Sequence, residues 1–133
     1  MDALSRIRAK INDYPGYASE GDIERSDQLL RAYVGERLAE LQERCGPGPA
    51  ADAIEPLIVR TAFADQRVLR PLEQPAERIA APDPVLEADG ALLDTADRAA
   101  AVTAAEVDAY CASVANAFDE RERQLVAAGI AFR

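Results

Sequence analysis

The residues best suited to metal chemistry are two pairs of carboxylates whose members lie three positions apart. Glu40 and Glu43 form one pair, and Asp94 and Asp97 form the other. On two facing helices these side chains would offer the oxygen ligands that Mg²⁺ and Mn²⁺ prefer, often together with substrate phosphates. One hypothesis is therefore an all-helical, metal-dependent hydrolase acting on a phosphorylated small molecule.

The same pairs have a simpler interpretation, which we favour. Acidic residues number 24 of 133, so spacings of this kind arise by chance. Arg44 lies four residues after Glu40, which is the spacing of an ion pair on the surface of a helix. Arg98 stands in the same relation to Asp94. We therefore expect solvated helix faces here, with neither a metal nor another cofactor.

The chain contains no histidine, and this excludes several kinds of active site. Ser-His and Cys-His nucleophiles are ruled out, as are imidazole-ligated zinc and haem. The serines have no glycine elbow, and the seven glycines show neither dinucleotide nor P-loop spacing. Cys45 and Cys111 are too few for a metal set, and we expect Cys111 to be a buried, reduced thiol on an apolar helix face. An enzyme is the less favoured interpretation.

Two tyrosines flank a turn that follows the first predicted helix, in the order Tyr14-Pro15-Gly16-Tyr17. Pro-Gly is typical of a type II turn, so the two rings would be held in fixed positions. They could form a contact patch for a protein partner. Alternatively, and this is the role we favour, they cover one end of the helices with their hydroxyls in water.

The charge balance argues against nucleic acid as a partner. The net charge is −9, and residues 46–102 alone carry ten acidic and five basic side chains. Binding to phosphates needs a basic face, which no segment offers. Residues 83–97 contain five acids and no base, so they form either a solvated surface or a patch for a basic partner. With no apolar run near the length of a membrane span, the expected location is the cytoplasm.

Hydrophobic periodicity predicts four long helices and one ambiguous segment. The four helices are expected at residues 2–12, 21–44, 52–69 and 103–128, with Thr103 and Glu106 forming a capping box before the last. In the second helix, Asp27 and Arg31 lie on the face opposite the apolar stripe and are predicted to form a solvated pair. Residues 71–84 contain four prolines and are predicted to be an irregular connection.

The ambiguous segment is residues 85–93. Asp89-Gly90 at its centre favours a short β-hairpin, whereas Asp83-Pro84 before it is a proper helix start. We prefer the helix, because an isolated two-stranded hairpin is marginal in water.

Together these features predict a single all-α domain over residues 1–133, a compact bundle of four or five mostly antiparallel helices. The leading functional hypothesis is a non-enzymatic interaction module that self-associates or docks on another protein, with no role for nucleic acid or membrane. Its expected interface combines apolar surface from the third helix, the chain's last residues and the tyrosine turn: Val59, Phe63, Ile130, Phe132, Tyr14 and Tyr17.

Overall fold

The chain is all-α in the computed structural model, which describes residues 2–62, 69–71 and 83–132. Its helices in chain order are α1 (Ala3–Lys10), α2 (Glu20–Cys45), α3 (Pro49–Ala62), α4 (Asp83–Asp97) and α5 (Val107–Ala127). Two short 3₁₀ turns, Arg98–Ala101 and Ala104–Glu106, connect α4 to α5. Two three-residue strands, β1 (Leu69–Pro71) and β2 (Ile130–Phe132), pair antiparallel.

Helices α1 and α2 begin at residues whose side chains satisfy free backbone N–H groups. Asp2 Oδ1 accepts a hydrogen bond from the N–H of Ser5 at 2.8 Å, and α1 starts there. Ser19 does the same for α2 by accepting from the N–H of Asp22. The predicted second helix is confirmed to within one residue at each end.

The capping box before α5 is also confirmed. The N–H and the hydroxyl of Thr103 both donate to Glu106 Oε1, at 3.0 and 2.8 Å. The hydrogen bond from the Thr103 backbone lowers the pKa of the Glu106 carboxyl. At the other end of α5, Gly129 adopts a left-handed conformation with φ of 88°, which suits glycine.

Residues 85–93 lie within α4, so the hairpin alternative is wrong. The helix-start signal prevailed because apolar side chains recur at helical spacing and are buried in the core, among them Val85, Leu92 and Leu93. The third helix begins earlier than predicted, at Pro49, and ends at Ala62. Its predicted end, Leu69, belongs instead to β1, and the expected irregular connection lies for the most part outside the described residues.

Five helices contribute to one core. Helix α2 packs against α3 and α4, while α4 also contacts α1 and α5. The fully buried apolar side chains come from every helix and include Ile7, Leu30, Val34, Leu38, Leu41, Ile54, Leu92, Val114, Phe118 and Leu125. No described helix combines the length and apolar character needed to cross a membrane.

Gly35 allows α2 and α3 to approach closely. A methyl group at Gly35 would lie 2.8 Å from Thr61 Oγ1, which is too short for a non-bonded contact. The Thr61 hydroxyl is held in place by donating to the carbonyl of Ile58 at 2.7 Å.

Candidate functional site

Among the residues that the structure describes, four charged side chains lie in the interior of the protein. Asp27 and Arg31 project from α2, Asp89 from α4 and Arg121 from α5, and none is more than 2 % exposed. Burying an unpaired charge is strongly unfavourable, so such groups must be paired and hydrogen-bonded. We refer to these four residues, with Tyr14 and Tyr17, as the interior network.

Arg121 is the central member of the interior network. Its Nε donates to Asp89 Oδ1 at 2.7 Å, and its Nη1 donates to Asp27 Oδ1 at 2.8 Å. Arg31 also pairs with Asp27, and its Nε donates to the two carboxylate oxygens at 3.1 and 3.2 Å. The charges therefore alternate in sign from α4 through α5 to α2, and the two arginines balance the two aspartates.

The tyrosine turn closes the network on the side of α1. The hydroxyl of Tyr14 donates to Asp89 Oδ2 at 2.5 Å, and the hydroxyl of Tyr17 donates to the same oxygen. Tyr17 Oη also accepts a hydrogen bond from Arg121 Nη2 at 3.3 Å. Between the two tyrosines, Gly16 takes a left-handed φ of 88°, and its N–H and carbonyl both bond to the Ser26 hydroxyl.

Burial and charge fix the protonation states of the two tyrosines and of Arg121. Burial, together with the negative charge of Asp89, raises the pKa of Tyr14 and of Tyr17 far above the usual value for a phenol. Burial alone would lower the pKa of Arg121, but Asp89, Tyr17 and Asp27 outweigh it and raise that pKa well above its usual value. The phenols therefore stay neutral and the guanidinium stays charged.

A second arginine connects this interior to the surface. The Arg31 Nη1 donates to the backbone carbonyl of Arg60 at 2.8 Å. The guanidinium groups of Arg31 and Arg60 both lie over the ring of Phe118. Arg60 in turn forms ion pairs with Asp119 at 2.9 Å and Glu122 at 3.3 Å on α5. Contacts of this cation–π kind stabilise by about 0.5–1 kcal/mol where exposed and more where desolvated.

The arrangement holds helices together more readily than it could transform a substrate. Each oxygen of Asp89 already accepts a hydrogen bond from within the chain, and both oxygens of Asp27 face Arg31. A general base must reach a substrate proton directly or through one water. The interior network is therefore a cross-link between α2, α4, α5 and the tyrosine turn.

The four carboxylates of the metal hypothesis lie in two different settings. Asp94 and Asp97 come together on the ammonium of Lys10, whose Nζ lies 2.6 Å from an oxygen of each. The Lys10 ammonium thus occupies the position that a cation between them would need. On α2, Glu40 pairs with Arg37 at 3.2 Å and Glu43 is exposed. Among the residues that the structure describes, no three acidic or cysteine side chains form a metal-binding group.

The predicted surface pairs on these helices use other partners. Arg44, expected to pair with Glu40, donates to the carbonyls of Ala99 and Val102 at 2.7 and 3.1 Å. Cys111, expected to be buried, is partly exposed and donates to the carbonyl of Ala53 at 3.7 Å. Burial still raises the pKa of its thiol, and Cys45 is also a free cysteine.

The predicted interface residues do not form one surface. Tyr14 and Tyr17 are buried with their hydroxyls on Asp89, so the expectation that these hydroxyls reach water is wrong. Val59 is exposed on α3. Phe63 lies outside the described residues, and Ile130 and Phe132 are the first and last residues of strand β2.

Prediction from the sequence missed the interior network: it expected a solvated Asp27–Arg31 pair and placed Asp89 on a solvated surface or in a patch for a basic partner. A signal for it exists in the sequence. Arg121 falls on the apolar stripe of α5, between Phe118 and Leu125, and Asp89 falls on the buried face of α4. Oppositely charged residues on the apolar stripes of different helices indicate a buried pair.

Comparison of the chain with known protein families, with curated proteins and with solved structures finds no match.

Proposed function

We propose that this chain is a non-enzymatic module of mostly antiparallel helices that works by binding protein, either a second copy of itself or another protein. The observation that carries the proposal is that the charged and phenolic groups of the interior network hydrogen-bond to one another. These groups lie inside the protein and hold together the helices whose outer faces would bind a partner.

The surface that favours binding lies on α3 and α5. Val59 on α3 and Val126 on α5 are 40 % and 56 % exposed, the large apolar side chains that the described surface leaves open to water. Arg60 on α3 forms ion pairs with Asp119 and Glu122 on α5. Apolar anchors beside charged residues are typical of protein interfaces. We propose that Val59, Arg60 and Val126 form one binding surface, which we call the α3–α5 face.

The first test is the mass in solution, measured by light scattering after size-exclusion chromatography over a hundredfold range of concentration. The wild type is expected to form a dimer or larger species as concentration rises. Replacing Val59 and Val126 together by Asp should weaken that association at least about tenfold, which corresponds to about 1.4 kcal/mol. The matched control is Ala112→Asp, at an exposed position of α5, which should leave it unchanged.

A wild type that stays monomeric throughout would overturn self-association. Binding of another protein would then be tested by whether Val59→Asp and Val126→Asp abolish retention of a partner that Ala112→Asp still retains. Association that is equally strong in all variants would exclude the α3–α5 face.

A further inference from the structure

The segment that precedes α2 bonds through several of its side chains to parts of the chain that are remote in sequence. Helix α1 packs against α4, with Ile7 and Ile11 buried between them. Arg6 forms an ion pair with Glu87 at 3.1 Å, and Lys10 pairs with both Asp94 and Asp97. Residues 2–17, which we call the arm, therefore carry a basic, amphipathic helix that is complementary to an acidic helix.

The far end of the arm is docked in the same way. Tyr14 and Tyr17 bond to Asp89, again on α4, and Tyr17 also meets Arg121 on α5. With α2, which directly follows it, the arm shares the two hydrogen bonds between Gly16 and Ser26. Between the arm and α2 lie Ala18 and Ser19, both exposed.

An eight-residue helix such as α1 is too short to be stable by itself in water. The arm therefore needs a surface to fold on. A second copy of the chain offers the same Glu87, Asp89 and Asp94 in the same places. Exchanging an identical element between two copies is a low-cost way to form a dimer, because every contact already exists in the monomer.

We propose that the arm exchanges between two copies of this chain, with residues 18–19 as the hinge. The arm of each copy then docks on α4 of the other, and its tyrosines complete the interior network of the partner copy. This inference depends on the proposed function only in taking a second copy as the binding partner, since its contacts are separate from the α3–α5 face.

The test uses two full-length variants with complementary charge reversals. The first carries Arg6→Glu and Lys10→Glu in the arm, and the second carries Glu87→Arg and Asp94→Lys in α4. Each variant alone sets like charges against each other at the 6–87 and 10–94 ion pairs, and Lys10→Glu also does so against Asp97. In an exchanged dimer of one copy of each, the altered arm meets the altered α4 and the native arm meets the native α4. The 6–87 and 10–94 pairs are then attractive at both docking sites, and the contact of position 10 of the altered arm with Asp97 is the one that stays repulsive.

The variants are mixed in equal amounts, warmed close to their melting midpoint and cooled. The masses of the species that form are then measured by native mass spectrometry and light scattering. We expect a heterodimer at about tenfold lower concentration than either variant alone needs to dimerise. Two control variants reverse charges at exposed positions elsewhere, Arg25→Glu with Arg98→Glu and Glu43→Lys with Asp52→Lys. Their mixture should show no preference for a heterodimer.

The outcomes separate this proposal from the one on the α3–α5 face. A charge-reversed mixture that stays monomeric, or forms no more heterodimer than the controls, overturns arm exchange. If the wild type nevertheless associates through Val59 and Val126, the proposed function stands without arm exchange. Circular dichroism checks that each variant is folded, and the milder pair Lys10→Glu with Asp94→Lys replaces any that is not.

Discussion

Helix α4 is joined to the rest of the protein by two sets of ion pairs that differ in their exposure to water. Asp89 lies in the interior network with Arg121, where both side chains are 0 % exposed. Asp94 lies one turn further along, in a surface cluster with Lys10, and its side chain is 63 % exposed. The same helix thus forms one carboxylate ion pair that is buried from water and another that is exposed to it.

The difference in solvent determines how strongly the partners depend on one another. In the interior, removing one charge leaves the others buried without compensation, which destabilises far more than the intact pair stabilises. At the surface, water and salt replace a lost partner, and an exposed pair contributes about 0–1 kcal/mol. The interior network therefore fixes the relative positions of α2, α4 and α5, whereas the surface cluster can open and re-form.

The largest effect should come from Arg121→Met. This change leaves Asp27 and Asp89 without the guanidinium that bridges them, and we expect a loss of about 3–5 kcal/mol in the free energy of unfolding. Urea unfolding followed by far-ultraviolet circular dichroism measures it. The control is Arg123→Met on the same helix, which removes an exposed pair with Glu120 and should change stability little. Similar losses of unfolding free energy in the two variants would contradict the claim that the buried ion pairs depend on one another more strongly than the exposed ones.

The tyrosine turn should show the next largest effect. Tyr14→Phe and Tyr17→Phe each leave Asp89 Oδ2 with one hydroxyl donor, and together they leave it with none. We expect each single change to remove about 1 kcal/mol and the double change to exceed their sum by about 1 kcal/mol, because a buried acceptor then lacks a partner. Strict additivity in a double-mutant cycle would show that the two hydroxyls act independently.

The same tyrosines predict a loss of stability in alkali. Burial, with the charge of Asp89, raises both pKa values above the usual 10.0, so above that pH the unfolded chain releases protons that the folded chain keeps. The contribution of these two tyrosines to the free energy of unfolding is complete below about pH 10 and is lost as the pH rises beyond that value. Melting temperatures between about pH 8 and 11 should fall less steeply in the double phenylalanine variant. Tyr110, whose pKa burial raises to about 12, accounts for part of the slope that remains.

A smaller effect is expected for Lys10→Met in the surface cluster. It removes the cation shared by Asp94 and Asp97, and we expect a loss of about 1 kcal/mol in dilute buffer. Raising the salt to about 1 M, where the screening length is about 3 Å, should remove most of this difference. The loss caused by Arg121→Met should persist in the same salt series, because water and ions do not reach that residue. An equal response to salt in both variants would show that the two sets do not differ in exposure.

Prediction from the sequence succeeded where one pattern determined one local structure. Hydrophobic periodicity predicted the second helix with an apolar stripe, and the apolar residues Ile23, Leu30 and Val34 of α2 are buried. The capping box located the start of α5. Both signals lie within a single helix, so no knowledge of the neighbouring helices is needed. The all-α class follows from the same local signals.

The interior network could not be derived in this way, because it depends on which helices meet. Asp27 and Arg31 have the spacing of a surface pair, and only the packing of α2 against its neighbours buries that face. The distances from Arg121 to Asp27 and Asp89 join residues 94 and 32 positions apart. Periodicity places each charge on a helix face but does not show which charges share an interior.

The smallest effect, and the one of opposite sign, is expected for Gly90→Ala beneath the arm. A methyl group there would lie 3.9 Å from Arg6 Nη2 and 4.0 Å from Ile7 Cγ1, which is ordinary contact. Alanine also favours a helix interior over glycine, so we expect a gain of about 0.5–1 kcal/mol. Gly35→Ala is the control, because its methyl group would clash with Thr61 and should destabilise. A loss at Gly90 would mean that the arm lies closer to α4 than this contact allows, and that the surface cluster is packed as tightly as the interior.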